Sequence, residues 1–306
     1  MSDKTNMLIS DIVMDKKVRK YLYLDNSIEE LVDTMLSLEF TNFGDDSIVP
    51  FTAKIRGYTG ANDQNGEPWL LKDIPDNEAP MHKYQEIAYY IDFLMKTPAA
   101  PTILVRHNDK FFRATKHVQS AMQIGSYNYL DPPFMKMLAN DLINRWLFFD
   151  EDRNPNNYMV IHDEDSKPFV VVIDYNKADM ETSEMKIYGM EDKFGWHREE
   201  KTRFLTLLKP ENFDHFSIED FQQRLGQMMQ IPESLIYDIC SKVFTKEIFE
   251  DKKAAADLVV GNFSRRRAYL NKYFRTWFKE KDLEKEKEVD ARYAGLGKSF
   301  NDYYKR

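Results

Sequence analysis

Strand-like runs occur in only two stretches of this chain, and elsewhere the apolar residues fall at helical spacing. SIVPFTAKIRGY, EPWLLKDIP, PTILVRH and KFFRATKHV all lie between residues 47 and 118, and YMVIHDEDSKPFVVVID spans 158–174. The runs come in neighbouring pairs joined by polar stretches, which favours antiparallel pairing over parallel crossovers. Between the first two lies TGANDQNG, where Gly60, Asn62, Asn65 and Gly66 are turn formers, so the pair predicts a hairpin with a long glycine-containing tip. Asn108-Asp109 joins the next two. The last strand, PFVVVID, is nearly all apolar, as a strand covered on both faces would be.

The helical pieces frame these strands. NSIEELVDTMLSLEF starts with Ser27 and Glu30 at capping-box spacing and carries Leu31, Met35 and Leu38 on one stripe. MHKYQEIAYYIDFLMK has Ile87, Ile91 and Leu94 in register and stops before Pro98 and Pro101. From Pro133 a long amphipathic helix presents Met135, Leu138, Leu142 and Trp146, and beyond Met180 the clearest helical pieces are FQQRLGQMMQ, PESLIYDICSKVF and FSRRRAYLNKYFRTWF. The chain therefore divides near residues 119–129 into a strand-rich N-terminal part, 1–120, and a helix-rich part, 121–278, followed by a charge-dense tail, 279–306. Three consecutive arginines, 265–267, point three ways on a helix and read as a solvated face.

Composition removes several functions. The net charge of −8 offers no attraction to a phosphate backbone or an anionic membrane, so nucleic-acid binding by the domain itself is not expected. A single cysteine, Cys240, excludes intramolecular disulfides and Cys-based zinc clusters, and no two histidines stand at metal-binding spacing. No apolar run is long enough for a membrane span or a secretory signal, so the expected setting is cytoplasmic.

Chemistry concentrates in EDRNPNN and the aspartate that closes the last strand. Asp152 and Asn157 are five residues apart, and the hairpin that follows returns Asp174 beside Asn157. Three oxygen-bearing side chains then face one cavity, a set suited to Mg²⁺, a hard ion that also takes substrate phosphates into its shell. Asp152 is free in this reading to orient or deprotonate an attacking hydroxyl. Upstream, Lys72 in PWLLK and Glu86 in the next helix are placed to form the ion pair that holds a lysine on ATP phosphates. A carboxylate after four apolar residues is costly to bury without a partner or a metal, which favours a site role for Asp174.

EDRNPNNYMV…FVVVIDYNKA resembles the active-site stretch of the HipA-like kinases and of the phosphatidylinositol 3/4-kinase-like atypical kinases, with a D-R-H-x-x-N type loop before an I-D-[HYF] metal site. The resemblance spans roughly 50–180 and continues into the FSRRRAYL helix; Asn154 stands where many relatives have His, and no dense glycine motif is present. It implies an α+β, bilobal protein-kinase-like fold with an antiparallel-sheet lobe and a helical lobe. It further implies that Asp152 is the catalytic aspartate, that Asn157 and Asp174 hold Mg²⁺, and that Lys72 binds phosphate with Glu86 as its partner. Gly60 would belong to the loop over the phosphates. His117 and Val118 would line the connector whose backbone binds adenine. The implied activity is ATP–Mg-dependent phosphotransfer to a hydroxyl, most simply of protein Ser or Thr, with a regulatory protein partner as a further option. The alternative is a silent kinase-like module that binds nucleotide or a partner, and a third option is transfer of AMP from the same residues.

Overall fold

The structure, a computed structural model, describes residues 16–150, 152, 155–162, 168–183 and 216–294. Helix α1 (Lys16–Tyr21) is followed by α2 (Ile28–Leu36), which begins at the expected reciprocal cap. The Glu30 N–H donates to Ser27 Oγ at 3.1 Å, and the Ser27 N–H donates to Glu30 Oε2 at 2.7 Å.

Five strands form the N-terminal sheet: β1 (Phe40–Thr41), β2 (Tyr58–Asp63), β3 (Pro68–Ile74), β4 (Thr102–His107) and β5 (Lys110–Lys116). Their order is β1-β2-β3-β5-β4 with every neighbour antiparallel. Asn108 and Asp109, both at positive φ (49° and 61°), make the two-residue turn between β4 and β5, a conformation that Asn and Asp tolerate better than most residues.

The first predicted hairpin differs from its sequence reading. Within SIVPFTAKIRGY the structure has a short 3₁₀ turn and a five-residue helix, α3 (Phe51–Ile55), introduced by Pro50. The predicted tip, 59–66, instead supplies most of β2. Asp63 fixes where the strand turns: its Oδ1 accepts from the Asn65 and Glu67 N–H groups and its Oδ2 from Trp69 Nε1. Asx-turn chemistry at one buried carboxylate thus prevails over the general turn preference of Gly60 and Asn62.

Helix α4 (Ala79–Leu94) lies between the sheet and the C-terminal helices and is buried on nearly all sides. Ile87, Ala88 and Ile91 pack into the main core, while Tyr84 meets Phe244 and Phe249 at ring-centroid distances of 5.8 and 5.2 Å. That position explains how polar residues of this helix, Lys83, Gln85, Glu86 and Asp92, come to be buried.

The second part holds α5 (Pro132–Leu147) and a three-stranded sheet, β6 (Met122–Gln123), β7 (Tyr158–His162) and β8 (Pro168–Val172), ordered β6-β7-β8. Phe169–Val172 of β8 are buried, as the apolar run requires. Helices α6 (Ile218–Gln230), α7 (Glu233–Val243) and α8 (Lys252–Ala294) complete the helical part, and α8 carries the charged tail onward as helix to Ala294. Trp146 of α5 packs on Tyr273 and Phe274 of α8 at 5.8 and 5.5 Å. Arg266 is not on a solvated face: it is 1% exposed, and its guanidinium donates to the carbonyls of Leu147, Asp179 and Thr182. Buried carbonyls at a helix end need such donors. No described helix is long and apolar enough to cross a membrane.

Candidate active site

The two parts of the chain meet through main-chain bonds at β8. The Ala100 N–H donates to the Val172 carbonyl and the Val172 N–H to the Pro98 carbonyl, both at 2.9 Å, around a parallel bridge between Ala99 and Val172. Two residues further on, Asp174 sits at φ 67°, a left-handed conformation an Asp can take when its side chain bonds locally. Here it does: the Asn176 N–H reaches Asp174 Oδ1 at 3.0 Å and Asn176 Nδ2 reaches Oδ2 at 3.1 Å.

Asn157, 5% exposed, stands beside this turn. Its carbonyl accepts from the Ile173 N–H at 3.0 Å, and its side-chain amide donates to the Asp152 carbonyl in a short contact. The amide nitrogen is thereby committed, and Asn157 Oδ1 has no hydrogen-bond partner among the described residues. Asp152 is itself held by its N–H to Asp150 Oδ1, 3.1 Å. Asp152, Asn157 and the end of β8 thus stand together; Asn154 lies outside the described residues.

On the five-stranded sheet, Tyr58, Lys72 and Arg113 are directly opposite one another on β2, β3 and β5, so their side chains share one face of the sheet. Arg113 is 4% exposed; its Nη1 lies 3.5 Å from Asp174 Oδ1 and its Nη2 donates to the Tyr58 hydroxyl at 2.6 Å. Burial opposes the Arg113 charge, but Asp174 and then Tyr58 outweigh it and hold the guanidinium above its ordinary range. The Lys72 ammonium sits 5.8 Å from the centre of the Tyr58 ring and has no ion pair among the described residues. Lys72 and Arg113 thus flank Tyr58 on one sheet face, Arg113 pairs with Asp174, and the Asp174 turn is joined to Asn157 and Asp152 through main-chain carbonyls.

Glu86 is not part of it. Its Oε2 accepts from Lys83 Nζ at 2.7 Å and from the Leu104 N–H at 2.9 Å, and its Oε1 from the Tyr90 hydroxyl at 3.2 Å. The expected Lys72–Glu86 pair is absent because Glu86 faces β4 and a lysine one turn away neutralises it. One turn earlier on α4, His82 is the residue within electrostatic reach of Arg113, Lys72 and Asp174: it is 7% exposed, its Nδ1 is buried and unpartnered, and its Nε2 lies 3.9 Å from Glu78 Oε2.

Burial first, and then the Arg113 and Lys72 charges, push the His82 pKa down to about 4. The native ring is therefore neutral near pH 7, and the unfolded chain binds the extra proton between the ordinary value of 6.5 and about 4. Stability should be fully present above pH 6.5 and fall as pH drops through that window, by up to about 1.4 kcal/mol per pH unit from this group. Urea titrations of wild type and His82→Gln across the window check this; parallel pH profiles for the two would refute it.

Gly60 is not in a loop over the cleft. It lies in β2 opposite Leu70, and a Cβ built there would come within 2.1 Å of the Asp45 carbonyl oxygen and 2.5 Å of Ile48 Cγ1. The residue is glycine because the 44–48 segment crosses directly over it, tied by the Gly44 N–H to the Gly60 carbonyl at 2.9 Å.

The connector is also rearranged. The His117 N–H is committed to the Pro68 carbonyl at 3.0 Å, while the His117 carbonyl accepts from the Tyr21 hydroxyl at 2.5 Å and keeps its second lone pair. Tyr21 and Tyr23 place their rings 4.2 and 4.1 Å from the Lys116 ammonium at the same point. Val118 is 5% exposed, yet neither its N–H nor its carbonyl has a hydrogen-bond partner among the described residues.

Sequence reasoning passed over Arg113 and His82. The signal for Arg113 was a charged residue in mid-strand within KFFRATKHV, a strand that becomes central once β3 and β4 flank it; His82 carried none. Among the described residues no three His, Cys, Asp or Glu cluster to hold a metal, and the set here offers two carboxylates with an amide. An open groove of about 380 Å³ between α2 and α7, lined by Ile28, Val32, Leu235 and Lys242, touches none of these residues.

No protein-family profile matches the chain, and no curated protein sequence does. Among solved structures the chain is similar to the Helicobacter pylori proinflammatory kinase CtkA, seen in a crystal structure, with a TM-score of 0.52 and 10% identity over 80% of this chain and 97% of that one. At that identity the likeness concerns the fold. A curled antiparallel-sheet lobe beside a helical C-terminal region makes this chain a kinase-like bilobal fold.

Proposed function

We propose that this protein is an ATP–Mg²⁺-dependent phosphotransferase acting on a hydroxyl, most simply a Ser or Thr of a protein. The observation that carries the reading is the Arg113–Asp174 ion pair, with Lys72 opposite Arg113 on the sheet and the Asp174 turn bonded to Asn157, which in turn holds the Asp152 carbonyl. The solved structure with a similar fold is a kinase by its description.

The donor chemistry fits the groups this activity needs. Asp174 and the uncommitted Asn157 Oδ1 are hard oxygen ligands and would hold Mg²⁺, which when bound neutralises phosphate charge. Lys72 and Arg113 supply two cations for phosphate oxygens from one sheet face, Arg113 in place of a helix-tethered Lys–Glu arrangement. The unpaired Val118 backbone groups would receive adenine. Asp152 would accept the proton of the acceptor hydroxyl as its oxygen bonds to the terminal phosphorus and the bond to ADP breaks.

One observation favours a second reading, a nucleotide-binding module without turnover: Glu86 is committed to Lys83 and leaves Lys72 without its expected partner. Intact-mass measurement after exposure to ATP and Mg²⁺ decides between them. Gain of one phosphoryl mass, with label following the γ-phosphate, and its loss in Lys72→Met, is the expected result. Label following the α-phosphate would mean AMP transfer. Nucleotide-dependent thermal stabilisation without any mass gain on the protein or an added Ser/Thr peptide would select the silent module.

A further inference from the structure

Behind the site lies a buried ionic cluster that the phosphotransfer chemistry does not touch. Arg145 of α5 is fully buried, and its guanidinium faces three carboxylates from three places in the chain. Its Nε donates to Asp141 Oδ1 at 3.1 Å, its Nη2 contacts Asp92 Oδ2, and its Nη1 lies 3.6 Å from Asp150 Oδ2. Arg224 of α6 is the second cation near Asp92 and Asp141; burial pulls its pKa down to about 10, and its Nη1 is spent on the Met95 carbonyl.

Each carboxylate leads to a different site segment. Asp150 Oδ1 accepts the Asp152 N–H at 3.1 Å. Asp141 Oδ2 accepts the hydroxyl of Tyr158, the residue after Asn157, at 2.6 Å. Asp92 Oδ2 accepts the hydroxyl of Tyr175, the residue after Asp174, at 2.7 Å. Asp92 also binds Asn144 at 2.8 Å, and Asn144 binds Thr97 at 2.9 Å, next to the bridge between the lobes.

A packing role alone does not account for this arrangement, because apolar replacement of a buried ion cluster is often neutral or stabilising. What the charges add is direction: a fork of fixed geometry with one outlet to each donor-bearing segment. We propose that Arg145 is a positioning residue that registers Asp150 with Asp152, 157–158 and 174–175 against one another and so sets where Asp152, Asn157 and Asp174 stand. The metal-binding consequence rests on the function proposed above; the registering role does not.

Arg145 variants risk unfolding, so the test uses Tyr158→Phe and Tyr175→Phe, which each remove one hydroxyl and keep the ring. Hydrogen exchange of the Asp152, Ile173 and Asn176 amides is measured, with Mn²⁺ binding in the presence of a non-hydrolysable ATP analogue. The three amides should exchange about fivefold faster or more in one or both variants. Amides of β2, β3 and β5 should be unchanged, Mn²⁺ should bind about tenfold more weakly, and metal-free nucleotide affinity should hold. Unchanged exchange at all three amides, or an acceleration matched in the five-stranded sheet, overturns the proposal. Faster exchange at the site with no Mn²⁺–nucleotide binding even by wild type upholds the registering role and removes the phosphotransferase reading instead.

Discussion

Asp152→Asn is expected to lower phosphate transfer by about 10²- to 10⁴-fold while nucleotide binding stays near that of wild type. The substitution keeps the side-chain volume and leaves intact the backbone contacts that place the residue, its N–H to Asp150 and its carbonyl to Asn157. What it removes is the capacity to take a proton. Asp174→Asn should behave differently. It deletes the charge facing Arg113, so the loss of transfer should come with a loss of the Mg²⁺-dependent part of nucleotide binding. Rates of phosphoryl incorporation and thermal shifts with and without Mg²⁺ separate the two variants. Turnover of Asp152→Asn within a factor of two of wild type would remove that residue from the chemistry.

The second large effect concerns stability. Gly60→Ala should destabilise the protein by about 3 kcal/mol or more, because the added methyl meets a backbone carbonyl, Asp45, at 2.1 Å and cannot be relieved by a rotamer change. Gly66→Ala is the control: its φ of 79° costs a left-handed conformation of about 1 kcal/mol, but nothing lies within 4 Å of the new Cβ. Denaturant midpoints of the two variants rank them. Equal midpoints would mean that 44–48 does not press on β2 as described.

The division of the chain into a sheet followed by helices was open to sequence reading because two different periodicities encode it, and side-chain period survives without knowledge of partners. That Asn157 and Asp174 come side by side was legible for a related reason: short hairpin geometry alone returns Asp174 to Asn157. Where the reading failed, the deciding contact was long-range or came from a neighbour of equal plausibility. Lys83 and Glu86 sit three apart on one helix, and no local pattern says that Glu86 will choose Lys83 and the Leu104 N–H over Lys72. Gly60 looked like a turn glycine because the carbonyl pressing on it comes from fifteen residues upstream. Arg113 could enter the site only once strand order set it opposite Lys72.

The paired main-chain bonds between Ala100, Val172 and Pro98 sit two residues from Asp174. When one half of the molecule rocks against the other, displacement grows with distance from that seam. The carboxylate at its edge then travels least, and the Asn108-Asp109 turn, at the end of β4 and β5 opposite the Lys116 N–H to Pro101 carbonyl bond, travels furthest. Under the proposed phosphotransferase reading, ligand entry would shift the far end of the sheet while Asp174 stays nearly fixed, so binding would not rebuild the proposed site.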